Sequence, residues 1–199
     1  MGKQRLEAFS DGVIAIIITV MVLQLPSPHG GDWSALQPVL PVLLTYVLSF
    51  VFLAIYWNNH HHLLQAVRYV NGKVLWANMH LLFWLSLTPF VTDWMGRNHF
   101  APLAVAAYGT VLLCAGIAYF IVVRALIGLH GHDSALATAL GSDVKGKASV
   151  GLYAAAIPLA FVRPWLAGAI YVFVAVMWLV PDRRIEHAVA GRAAREGEG

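Results

Sequence analysis

RLEAFSDGVIAIIITVMVLQLP, running from Arg5 to Pro26, decides how the rest of the chain is read. The stretch is apolar enough to enter a membrane, yet it opens with Arg5, Glu7, Ser10 and Asp11. A charge inside a spanning helix costs roughly 2.5–3.5 kcal/mol on insertion scales, so Asp11 reads as a functional residue or a member of a buried network. At about 100° per residue the helix has two unlike sides. Phe9, Gly12, Ile16, Thr19, Val20 and Leu23 form a narrow stripe, and Asp11 falls nearly opposite. One side can line an axis while the other ties the helix to its own bundle. Periodicity by itself favours the plainer reading, in which the stripe is lipid-facing or packed surface.

The rest of the composition agrees with a membrane chain. Of 199 residues, 59% are hydrophobic and 12% are charged, against about 25% charged in soluble domains. The single cysteine, Cys114, excludes an intramolecular disulfide and any cysteine-based metal cluster. The formal charge of +3 is small and its basic residues are scattered between apolar runs. That pattern sets membrane topology and does not point to nucleic acid. No cleavable signal peptide is expected, because the first run is long and carries an internal acid.

Six apolar segments follow one another, at about residues 6–25, 36–58, 74–94, 101–127, 148–163 and 165–181, each near the ~20 residues that cross a bilayer. The expected fold is all-α, a six-helix transmembrane domain over 1–182, with a partly disordered cytoplasmic tail over 183–199. Pro26 to Gly31 should be a loop, and Pro89 should kink the third span. Arg163-Pro164 should divide a tight hairpin of the fifth and sixth spans. The Leu129–Lys147 link is long enough for a short surface helix with Ser134 as N-cap. Lys3, Arg5, Arg68, Lys73, Arg124, Lys145, Lys147, Arg183, Arg184, Arg192 and Arg195 fall on one side of the spans, Arg97 and Arg163 on the other. Both termini are therefore expected in the cytoplasm, with Trp33, Trp94 and Trp165 near the outer face.

The second span ends in YWNNHHH, Tyr56 to His62. Consecutive helical residues point about 100° apart, so His60, His61 and His62 cannot converge on one ion. With no HExxH and no cysteine partner, no metal site is expected. Asp11, the histidines and Asn78 instead fall at similar depth, so Asp11 could accept a hydrogen bond from His61 or Asn78, as a buried carboxylate requires. No nucleophile–base pair marks an enzyme. No TVGYG-like carbonyl filter is present, which leaves a hydrophobic constriction as the means of gating a pore. One copy of the first helix cannot surround an axis, so a pore requires an oligomer. The alternative is a proton-coupled secondary transporter using Asp11 and the second-span histidines. Such folds use broken helices, and the first span has no Gly or Pro after Gly12 until its end.

Arg5-x-x-x-Phe9-Ser10-Asp11, followed by an apolar run with Ile16 and Thr19, resembles the signature of the transmembrane protein 175 family. These are potassium channels of bacteria, archaea and animal lysosomes. The resemblance implies a homotetramer in a bacterial or archaeal plasma membrane, conducting potassium without a cofactor. It places Ile16 at the constriction, Leu23 at a second apolar ring, and Thr19 at a position that tunes selectivity. Phe9, Gly12 and Val20 would complete the lining. Ala15 stands where some relatives carry a hydroxyl. The resemblance also implies a polar network of Arg5, Ser10 and Asp11 with Trp57, His61 and Asn78, the histidine being drawn from the triplet.

Overall fold

The computed structural model describes residues 2–131 and 143–179. The expected surface helix after Ser134 and the C-terminal tail lie outside those residues. Eight helices are present among the described residues, and no strand. They are α1 (Lys3–Leu23), α2 (Trp33–Leu36), α3 (Leu40–Gln65), α4 (Gly72–Ser86), α5 (Thr88–Arg97), α6 (Pro102–His130), α7 (Val144–Val162) and α8 (Pro164–Leu179).

Four stretches are long and apolar enough to cross a membrane: Lys3–Leu23, Leu40–Gln65, Gly72–Arg97 and Pro102–His130. The fifth and sixth expected spans coincide with α7 and α8. Neither meets the same measure, α8 being apolar but only 16 residues long. Val144, Lys145, Gly146 and Lys147 open α7, and two lysines within one turn dilute its apolar content. Of the six expected spans, four are such stretches and two coincide with lesser helices among the described residues.

The punctuation residues act as their chemistry predicts. Pro89 occupies the first turn of α5, and the third span breaks at Leu87. A proline has no N–H to give and its ring collides with the carbonyl four residues back, so the break falls just before it. Arg163 leaves the helical region between α7 and α8, and Pro164 opens α8, where its fixed φ suits a first helical position. Pro26 to Gly31 is non-helical.

Two apolar cores hold the bundle. One gathers Leu6, Ile14, Ile17 and Met21 of α1 with α3, α4 and α6. The other joins α3, α5, α6, α7 and α8 around Tyr108, Tyr153 and Tyr171. Small residues set the spacing of the second: Ala156, Ala160 and Ala167 are fully buried, which lets helix backbones approach closely. Gly109 is the tightest case. A Cβ there would lie 2.1 Å from the Tyr171 hydroxyl, which donates to the Val105 carbonyl at 3.1 Å. The first helix packs on α3, α4 and α5, so only one of its sides is covered.

Candidate functional site

The two sides of α1 separate cleanly. Leu6, Ser10, Ile14, Ile17 and Met21 are buried against the bundle. Phe9, Gly12, Ile16, Thr19, Val20 and Leu23 are exposed, Ile16 to 64% and Leu23 to 78%. All six stripe residues thus share one uncovered face of the single chain. Its only hydroxyl, on Thr19, donates to the Ala15 carbonyl at 2.9 Å. That bond uses the hydroxyl's one hydrogen and leaves its oxygen lone pairs outward, free to accept from water or to face a cation.

Opposite the stripe, polar side chains fasten α1 to its neighbours. Ser10 Oγ donates to the Leu6 carbonyl at 2.8 Å. Asn78 Nδ2 donates to Ser10 Oγ at 2.9 Å, and Asn78 Oδ1 meets His60 Nε2 at 2.7 Å. Ser10, Asn78 and His60 are each at most 1% exposed. This chain assigns the histidine tautomer. Ser10 has spent its hydrogen, so Asn78 gives its amide N–H there and turns its oxygen to His60. His60 must then donate from Nε2. Its Nδ1 is left as a buried lone pair with no hydrogen-bond partner among the described residues.

A second cluster lies on the more open side. Trp57 Nε1 donates to Asp11 Oδ1 at 3.0 Å, and the Trp57 ring stacks on His61 with centroids 5.7 Å apart. His61 Nδ1 lies 3.2 Å from Glu7 Oε1, and His61 Nε2 lies 2.8 Å from Gln65 Nε2. An amide nitrogen only donates, so with this amide orientation His61 accepts at Nε2 and donates from Nδ1 to Glu7.

The network therefore differs from the expectation in three places. Asp11 is bonded by Trp57 and not by His61 or Asn78. His60, not His61, reaches Asn78, because neighbouring residues on α3 point about 100° apart and only His60 turns into the bundle. Arg5 is exposed and joins neither cluster. It lies about 20° from Ile16 around the helix at 100° per residue, so it belongs to the outward side of α1. Glu7 and Gln65 were not anticipated. Glu7 lies one turn before Asp11, and Gln65 one turn after His61, so helical spacing was the available signal.

The far end of α1 is also held. Arg97 Nη2 donates to the Gln24 carbonyl at 3.3 Å while Arg97 Nε pairs with Asp93 Oδ1 at 2.6 Å. A cation at a helix C-terminus is favourable on electrostatic grounds. Beneath Met21, Ser49 Oγ shares hydrogen bonds with Thr92 Oγ1 at 2.6 Å and Tyr108 Oη at 3.0 Å. Among the described residues no three His, Cys, Asp or Glu side chains could together hold a metal ion.

The family model described as endosomal/lysosomal potassium channel TMEM175 matches residues 5–89, which span α1 to the start of α5. A potassium channel of Chryseobacterium sp. (strain P1-3) is 51% identical over 189 residues, covering 95% of this chain and 98% of that one. A potassium channel of Streptomyces collinus is 32% identical over 123 residues, covering 58% of this chain and 60% of its own. The crystal structure of a lysosomal potassium-selective channel TMEM175 homolog from Chamaesiphon minutus superposes with a TM-score of 0.77. It is 26% identical and covers 90% of this chain and 97% of that one. With its N-terminal motif on a helix of the same fold, and with a full-length relative at that identity, this chain belongs to the TMEM175 family of channels.

Proposed function

We propose that the protein is a potassium-selective, leak-like cation channel in which α1 lines the permeation path. The single observation that carries this reading is the uncovered face of α1. It offers branched apolar side chains and one hydroxyl oxygen, with no acid to trap an ion. Around a symmetry axis, Ile16 would make a constriction too narrow and too apolar for a hydrated cation. Removing water from a cation is costly without replacement oxygens. Thr19, one turn away with its lone pairs free, would supply part of that replacement. Leu23 would form a second apolar ring, with Val20 in the wall between and Phe9 and Gly12 lining the path on the other side of Ile16. Potassium gives up its water more readily than sodium, so a dehydrating constriction favours potassium.

The same reading calls for several copies of the chain, since one α1 cannot enclose a path. A homotetramer of six-span subunits, both termini cytoplasmic, in a bacterial or archaeal plasma membrane is the arrangement we propose. The polar clusters behind α1, with Ser10, Asp11, Trp57, His61 and Asn78 joined by His60, would hold the helix at a set angle to that axis. A transporter using Asp11 as a proton carrier is less well supported, because Trp57 already occupies that carboxylate. The test is ion flux in liposomes of purified protein. Potassium conductance without a coupled proton gradient is expected, with a bi-ionic reversal potential favouring potassium over sodium. Flux that requires a proton gradient would overturn the channel reading.

A further inference from the structure

On the side of the bundle away from α1, a cavity of about 270 Å³ lies between α3, α6, α7 and α8. Its walls are the side chains of Phe52, Ile55, Ile117, Val150, Tyr153 and Trp178. Ile117 is 41% exposed, so the cavity opens sideways on α6 and is not sealed in the core. Most of the polar groups along it are already used. Asn59 Nδ2 donates to Ile55 O, and Tyr119 Oη donates to Asn59 O. Trp178 Nε1 donates to Ser149 Oγ, which in turn donates to Lys145 O. Asp143 accepts from the Gly146 N–H as the N-cap of α7. The interior thus has size and a largely apolar surface, with the Tyr56 and Tyr153 hydroxyls among its few polar atoms not already bonded among the described residues.

Charge gathers at one end. Lys147 lines the cavity where α7 begins, and it is exposed, with no ion pair among the described residues. Arg124 lies with its guanidinium 5.2 Å from the centre of the Phe120 ring, and Phe120 is another wall residue. Among the described residues the acid there is Asp143, one oxygen of which accepts from its own helix cap. An apolar slot, open at the side, with a lysine in its lining and an arginine stacked on one of its wall residues, has the shape of a site for a chain bearing an acidic head.

We propose that this cavity holds one acyl chain of an anionic phospholipid of the cytoplasmic leaflet, its headgroup at Lys147 and Arg124. The proposal rests on the membrane orientation given under Proposed function, which puts the start of α7 at the cytoplasmic surface. A bilayer lipid is favoured over a water-soluble ligand because the opening lies along a span, where lipid is the solvent. Binding scales with the apolar area buried plus attraction between basic side chains and anionic headgroups.

Gly116 supplies the decisive variant. A Cβ at Gly116 would meet Val150 and Tyr56 only at 3.6 and 3.8 Å, which is ordinary contact. A leucine there fits at its Cβ, and its remaining carbons must enter the cavity. Native mass spectrometry of the purified full chain, with dioleoyl phosphatidylglycerol and dioleoyl phosphatidylcholine as competing probes, reads occupancy directly. Wild type should retain the glycerol lipid several-fold over the choline lipid. Lys147→Gln should remove most of that preference, and Gly116→Leu should lose both lipids. Equal retention of the two lipids by wild type, or full retention by Gly116→Leu, would overturn the site. If Gly116→Leu does not fold, an unchanged preference in Lys147→Gln overturns it alone. Retention of free oleate but not of the phospholipid would overturn the choice of a bilayer lipid. Potassium flux on the same samples separates the two readings: a wild type that conducts but holds no lipid defeats only the cavity, and one that holds lipid but does not conduct defeats only the channel.

Discussion

The indole N–H of Trp57 on α3 donates to Asp11 Oδ1 on α1 at 3.0 Å, across a sequence separation of 46 residues. That bond lies opposite Ile16 on α1, so it holds the helix from behind and leaves the stripe free. It also explains how an acid is tolerated in a spanning helix: the carboxylate has a donor and sits where it is only partly covered. Trp57→Phe keeps an aromatic ring beside His61 and removes the donor together with part of the ring surface. It should lower thermal stability of the purified protein by about 1–2 kcal/mol, since bonds to charged groups are the stronger ones. Asp11→Ala should do the same and reduce the yield of assembled oligomer on size exclusion. An Asp11→Ala protein that assembled normally but changed its ion preference would place Asp11 in the path.

The buried chain from His60 through Asn78 to Ser10 should be less forgiving than the Trp57 bond. Asn78→Ala strands the His60 Nε2–H and takes a donor from Ser10, both in the core. We expect a loss of about 1–2 kcal/mol, toward the lower end if bonds between membrane helices behave as usual. His61→Ala removes partly exposed contacts with Glu7, Gln65 and the Trp57 ring and should cost less. Thermal unfolding followed by fluorescence-detected size exclusion distinguishes them. A larger effect at His61 than at Asn78 would reverse the assignment of the two clusters.

Along the uncovered face of α1 the expected effects are on selectivity, not on folding. Ile16→Asn should admit hydrated ions and raise sodium permeation. Thr19→Val keeps the volume and removes the oxygen, so the potassium preference should fall. A change of about 1.4 kcal/mol in relative barrier height corresponds to roughly tenfold in the permeability ratio, and several-fold is the expected size. Reversal potentials under bi-ionic potassium and sodium gradients in reconstituted bilayers make the measurement. Potentials identical to wild type in both variants would take α1 out of the permeation path.

Gly109 offers a test of the packing itself. A Cβ there would sit 2.1 Å from Tyr171 Oη and 2.8 Å from Tyr171 Cζ. The ring is fully buried and cannot step aside, so Gly109→Ala should destabilise by about 1–3 kcal/mol, as overpacked cores do. Adding Tyr171→Phe removes the nearer of the two clashing atoms and should restore part of the loss. No rescue in the double variant would mean that the two helices move apart as bodies.

Much of this architecture is a property of the local sequence. The two sides of α1 follow from helical spacing, which needs no knowledge of what the helix packs against. Phe9, Ile16 and Leu23 were bound to share a side wherever that side pointed. The break before Pro89 and the turn at Arg163-Pro164 follow from proline's missing N–H, again a local matter. The low charge and long apolar runs settle the class of the protein. What local rules cannot settle is which of several equivalent side chains a neighbouring helix selects. His60 and His61 are the same residue type on the same turn, and only the crossing of α3 over α1 and α4 turns His60 inward to Asn78 and leaves His61 to Glu7. Arg5 stays out of the network for a local reason instead, its angle on α1, which spacing alone gives. The cavity between α3, α6, α7 and α8 and the contact of Gly109 with Tyr171 likewise exist only where distant helices meet. Periodicity decides directions around one helix axis, whereas partners are decided by how the axes cross.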